Sequence, residues 1–278
     1  MLKNILTGVA IGIANIIPGV SGGTIIVLFG LFDKIIFAIS DILKRKTLSR
    51  KENLLFLGQI LFGILIGLIT FANIIDYFFI NWPTQTIYTF IGLILFSIPS
   101  IIKKEMPNKK VSYPFFIIGA LIIIGLSIMS PDQTNIIITN FPLITLPFLF
   151  KLTIIGMIGG IAVILPGVSG AMILLILGQY HLYKSYIANV ASFKLNIIIP
   201  ILFIGSGILL GIILSSKIIK WALTNYRKET ISFILGLIIM SSIVLIPLKI
   251  TYTLPLIISS LFTFTLGALI VTLIEKKA

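Results

Sequence analysis

The 278-residue chain has no cysteine and a single histidine. The first absence excludes disulfides, thiolate nucleophiles and cysteine metal sites. The second excludes a histidine-rich metal centre. Charge is scarce as well. Charged residues make up 10% of the chain, against about 25% in a soluble domain. No carboxylates or histidines cluster within the apolar stretches. A nucleophile with an acid–base partner, as a lipid phosphatase needs, is therefore not legible. The sequence predicts neither an enzyme nor a cofactor.

What is present is apolar. Hydrophobic residues account for 58% of the chain, too many for a water-soluble globule to cover. The apolar residues come in long runs rather than in alternation, which points to membrane helices and not to an outer-membrane barrel. The net charge of +13 does not imply a nucleic-acid partner, because Lys and Arg accumulate in the cytoplasmic loops of membrane proteins.

A repeat organises these runs. Pro18, Gly19, Val20, Ser21 and Gly22 realign with Pro166, Gly167, Val168, Ser169 and Gly170 at an offset of 148. Gly8 and Gly12 fall on Gly156 and Gly160 at the same offset, and their small-xxx-small spacing suits close helix contact. Further on, Gly63, Gly67 and Gly92 fall on Gly207, Gly211 and Gly236 at an offset of 144. Each copy reads as a broken apolar segment followed by three ordinary ones. Repeat one spans 1–130, with the broken segment at 4–32 and helices at 54–75, 87–102 and 112–129. Repeat two spans 148–278, with 152–180 broken and helices at 196–216, 231–248 and 254–274.

Charge decides how the broken segments lie. If both dip in and return, with the N-terminus inside, 17 of the 21 basic residues fall on the cytoplasmic side. If both crossed, the basic runs 34–51 and 217–228 would lie on opposite sides. The expected fold is therefore all-α and integral to the membrane. It has two re-entrant hairpins, six crossings and both termini cytoplasmic. Three crossings per copy makes the second copy inverted, the plan of secondary transporters.

The PGVSG strings sit where such hairpins must break. Pro18 and Pro166 end the first arm, since proline lacks an N–H and disfavours helix at the residue before it. Gly19 and Gly167 permit the turn. Ser21, Gly22, Gly23 and Thr24, with Ser169, Gly170 and Ala171 in the second copy, read as the cap and first turn of the second arm. Uncovered N–H groups at a helix start suit an anion such as phosphate or carboxylate. These seven residues are the expected anion site. Asn15, which realigns with Val163, is expected to brace the first hairpin. Asp33, Lys34, His181 and Lys184 lie at the hairpin mouths, where they can meet a headgroup or serve only as interfacial residues. A channel or exchanger for a small anion would use the same half-helix ends, and an assembly scaffold would need neither.

The string GxANIIPGVSGGTxxVLxGLFDK near the N-terminus, echoed by PGVSG midway, resembles the bacterial polyprenyl-phosphate translocase family. The resemblance covers the chain in length, hydropathy and repeat layout. It implies a flippase that returns undecaprenyl phosphate from the outer to the inner leaflet of the cytoplasmic membrane for reuse in cell-wall synthesis. The lipid is then the partner, and the phosphate headgroup occupies the paired hairpins.

Overall fold

The computed structural model describes residues 1–16, 21–42, 50–106, 110–131, 141–248 and 250–277. These form twelve α-helices: α1 (Leu2–Ile16), α2 (Gly22–Leu28), α3 (Phe32–Ser40), α4 (Arg50–Asn81), α5 (Pro83–Glu105), α6 (Tyr113–Met129), α7 (Leu146–Ile164), α8 (Gly170–Ile176), α9 (Tyr180–Ala188), α10 (Leu195–Asn225), α11 (Arg227–Val244) and α12 (Leu254–Lys277). Strands are absent among the described residues.

Five helices, α4, α5, α7, α10 and α12, are long and apolar enough to cross a membrane. The bent pair α2–α3, angled at 117°, passes the same test as one broken unit. Only 22% of the apolar window of α4 is buried within the protein. Leu61, Leu65 and Ile69 on that helix are exposed, as lipid contact requires. The 32 residues of α4 extend about 48 Å at the usual rise, beyond a hydrocarbon core of about 30 Å. The helix therefore tilts or protrudes.

Several boundaries differ from the sequence reading. The second and third segments, expected at 54–75 and 87–102, extend until only Trp82 separates α4 from α5. Their polar and aromatic ends continue the helix past the apolar run. Likewise only Tyr226 separates α10 from α11. The helices α3 and α9 lie beyond the segments expected to be helical, and α3 overlaps the basic run 34–51. Phe32, Ile35, Ile36 and Ala38 make α3 a buried amphipathic helix.

The turns into α3 and α9 are built alike. Gly30 and Gly178 both have φ 65°. Gly30 N–H bonds to Val27 O and Leu31 N–H to Ile26 O; Gly178 N–H bonds to Leu175 O and Gln179 N–H to Leu174 O. This is the Schellman pattern, in which a left-handed glycine closes the helix and satisfies its last carbonyls.

Glycine sets how the long helices pair. Gly8 and Gly12 on α1 lie against the Ile60 and Ile64 carbonyls of α4, and Gly63 and Gly67 on α4 lie against the Ile5 and Val9 carbonyls of α1. Residue numbers rise together along this contact, so α1 and α4 run parallel. Gly156, Gly160, Gly207 and Gly211 make the equivalent contacts between α7 and α10. The remaining long helices exchange partners between the halves. Gly92 of α5 meets Phe264 of α12, and Gly267 meets Thr89. Gly236 of α11 meets Phe116 of α6, and Gly119 meets Phe233. These pairs are antiparallel. Offsets of 144 for α5 and 148 for α6 carry one set onto the other.

Each of these glycines leaves no room for a Cβ against the facing backbone, whereas Gly125 on α6 faces open space. Gly267→Leu should therefore lower stability by about 1–3 kcal/mol or more, the usual cost of overpacking. Gly125→Leu should leave it nearly unchanged. Thermal unfolding of the two purified variants in detergent checks the difference.

Candidate functional site

The two motif copies meet. Ser21 N-caps α2: its Oγ accepts from Gly23 N–H at 3.2 Å and donates to the carbonyl of Leu165 at 3.3 Å. Thr24 Oγ1 accepts from Gly167 N–H at 3.0 Å, and both partners are buried. A Cβ on Gly23 would press on Ile164 O and Pro166. The start of α2 is thus docked into the turn of the second hairpin. Gly167 holds φ 80° there, a conformation that glycine adopts without strain. Pro166 is fully buried. Pro18 and Gly19, expected to turn the first hairpin, lie outside the described residues.

The two helix starts differ in what covers them. Gly22 N–H donates to Asn15 Oδ1 at 3.1 Å, so Asn15 braces the first hairpin as its chemistry suggested. With Ser21 on Gly23 N–H and Thr24 N–H bonded to Ser21 O at 2.9 Å, the first turn of α2 is satisfied internally. At α8 the residue equivalent to Asn15 is Val163, whose methyl lies near Gly170. Ser169 makes no capping side-chain bond. Ser169 and Gly170 are half-buried and Ala171 is exposed. The sequence reading treated both helix starts as open; only the α8 start is.

That start borders a cavity of about 190 Å³. Asn15, Ser21 and Gly22 contribute from the first hairpin, and Ser169, Gly170 and Ala171 from the second. Tyr180 and Tyr183 of α9 complete the polar lining. Among the described residues, no Lys, Arg, Asp or Glu lines it. The cavity offers neutral hydrogen-bond groups: an asparagine amide, hydroxyls, phenols and backbone N–H. Of the seven expected site residues, five line the cavity, while Gly23 and Thr24 join the hairpins instead. The tyrosines were missed in the sequence. Their spacing of three on a helix was the available signal.

The mouth residues are not in the cavity. Asp33 pairs with Arg227 at 2.7 Å, and Arg227 also pairs with Glu105. Lys34 lies over the Phe56 ring, 4.3 Å from its centroid. Lys220 of α10 pairs with Asp41 at 2.7 Å. These contacts tie α3 to α4, α10 and α11, and α11 to α5. His181 stacks edge-on against Tyr180 at 5.5 Å, and Lys184 is exposed.

Residues 11–271, from within α1 to within α12, match the family described as undecaprenyl phosphate translocase-like. The chain belongs to that family. It is 31% identical over 249 residues to a polyprenyl-phosphate transporter of Vibrio cholerae serotype O1, covering 86% of this chain and 75% of that protein. It is 32% identical over 251 residues to a polyprenyl-phosphate transporter of Staphylococcus aureus, covering 88% of this chain and 86% of that protein. No solved structure matches the chain. Family membership and the apolar helices make this a multi-pass membrane transporter, not an enzyme.

Thr24→Val should strand the buried Gly167 N–H and lower stability by about 1–3 kcal/mol. Thr24→Ser, which keeps the acceptor, should retain most of it. Denaturation midpoints in detergent measure both.

Proposed function

We propose that this protein is a flippase that moves undecaprenyl phosphate from the outer to the inner leaflet of the bacterial cytoplasmic membrane, with the phosphate held in the cavity between the two hairpins. The observation that carries this reading is the cavity itself. It joins both PGVSG motifs at one place, leaves the α8 start uncovered, and presents hydrogen-bond donors to an anion. A charge moved bare through hydrocarbon costs several kcal/mol; Ser169, the Gly170 and Ala171 N–H groups, Asn15 and the two phenols replace its hydration. The isoprenoid chain stays on the lipid side.

The packing supports a topology and a mechanism. Parallel α1 and α4 start on the same side, so the chain goes in along α1 and returns through α2 and α3, which supports a re-entrant hairpin. The Asp41–Lys220 pair brings the end of that hairpin to the end of α10. This supports an inverted second repeat and cytoplasmic termini. The halves 1–130 and 148–278 then rock against each other. In the present arrangement α3 packs on α10, whereas α9 has no comparable contact with α4. That corresponds to a state closed at the inner end.

Two measurements test this. Single cysteines at Arg50 and Tyr226 should label from the cytoplasmic face and one at Asn81 from outside; labelling of Arg50 and Tyr226 from opposite faces overturns the hairpins. Val163→Asn should cover Gly170 N–H as Asn15 covers Gly22 N–H. Loss of one hydrogen bond to a charged group should weaken phosphate binding about tenfold to a hundredfold. Leaflet-resolved transport of undecaprenyl phosphate in proteoliposomes should fall with it, while thermal stability holds. Wild-type transport by Val163→Asn overturns the headgroup site, and transport of chloride or acetate without the lipid favours an anion channel.

A further inference from the structure

Two lateral grooves lie outside the headgroup cavity. The larger, about 650 Å³, opens between α3, α6, α10 and α11 and is almost wholly apolar. The other, about 520 Å³, opens between α4, α5 and α12. They are the same groove built twice. Ala222, Tyr226 and Thr230 of the first fall on Phe78, Trp82 and Thr86 of the second at the offset of 144. Ile118 of α6 falls on Leu266 of α12 at the offset of 148. Every residue lining the second groove except Ser259 has its counterpart lining the first.

We infer that these grooves hold the isoprenoid chain of the substrate, one serving each leaflet; the inference rests on the function proposed above. Each groove begins at the one-residue link between two long helices, at Tyr226 or Trp82. Aromatic residues of this kind favour the membrane–water interface. In the proposed topology those links lie on opposite faces. A carrier that moves a headgroup across the bilayer must accept its chain from one leaflet and release it into the other. A single groove would serve one leaflet only. The repeat supplies one at each end.

A single hydrogen bond separates the headgroup cavity from the first groove. Leu165 lines it, and the carbonyl of that residue accepts the hydroxyl of Ser21, which lines the cavity. That bond parts the two while the inner end is closed; a chain attached to a phosphate in the cavity enters this groove when the inner end opens. Phe32, Phe115 and Phe233 give the groove broad apolar walls, suited to a branched, unsaturated chain. The second groove has no described contact with the cavity in this state.

The test compares undecaprenyl phosphate with geranyl phosphate, which carries the same headgroup on a chain too short to fill a groove. Ala222→Trp and Thr263→Trp each fill one groove. Displacing even two methylenes costs about tenfold in affinity. Each variant should therefore bind undecaprenyl phosphate at least about tenfold more weakly, with geranyl phosphate unchanged. Equal losses for both lipids, or no loss for either, overturn the inference. A wild-type protein that binds neither lipid overturns the functional reading itself. Photocrosslinking guards against variants that misfold. Benzoylphenylalanine at Trp221 or Phe78 should capture radiolabelled undecaprenyl phosphate in phosphatidylglycerol nanodiscs, and at the lipid-facing Phe62 should not. Capture of phosphatidylglycerol alone at Trp221 and Phe78 overturns the assignment.

Discussion

A helix that breaks among apolar neighbours exposes backbone N–H groups that must find partners. The arrangement of the two hairpins follows from how this chain supplies them. Gly22, Gly23 and Gly167 N–H are taken by Asn15, Ser21 and Thr24, respectively. The third of these bonds crosses between the halves, and so does the Ser21 bond to Leu165. Each hairpin therefore completes the other. The motif serines and threonine, which look like ligand residues in the sequence, are partly scaffold. What is left over at α8 becomes available to a ligand.

The difference between the two halves is as informative as their likeness. Glycine contacts, Schellman turns and lateral grooves obey the repeat closely. Asn15 and Val163 do not, and neither do Phe32 and Ile35 against Tyr180 and Tyr183. In both cases the substitution lies at the cavity. The first half supplies an amide that plugs its own helix start and buried apolar residues that close its end. The second half supplies an open start and phenols. A two-fold plan thus yields a site with one donor-rich wall. Among the described residues no cation lines the cavity, so in the proposed function dipoles alone hold the anion. Such binding is weaker than pairing with Arg or Lys, which suits a site that must release what it binds.

Much of this was legible in the sequence, for definable reasons. The PGVSG copies and the glycines of α1 and α4 share constant offsets, so both the breaks and the closest helix contacts could be read. Gly119 and Gly267 carry the same relation, but they lie where the offset returns from 144 to 148, and the length changes hide them. The exchange of α5 and α6 between the halves could not be read, because periodicity says which face is buried and not against which helix. The α3 and α9 helices were obscured by basic residues: Lys34 sets its ammonium over Phe56, so a charged run sits on a buried helix. The fate of Gly23 and Thr24 was hidden because a cap residue and a ligand residue have the same composition.

Alternation sets a last constraint on how the closed end is held. Besides the apolar packing of α3 in the core with Ile219, Leu223 and Ile234, its ion pairs to α10 and α11 are incompletely buried: Lys220 and Asp41 retain 25% and 19% exposure, Arg227 and Asp33 35% and 31%. Pairs at such positions contribute roughly 1 kcal/mol or less each. They orient α3 but add little to the apolar packing that holds it. The repeat places Asp76 and Asn189 where Lys220 and Asp41 stand, so the opposite end cannot close through the same ion pair. The glycine contacts behave differently. They bury backbone against backbone within α1–α4 and α7–α10, and no side chain can rearrange to relieve them. The parts that move in the proposed cycle are therefore the short helices after each hairpin, and the glycine-packed pairs are the rigid bodies they move against.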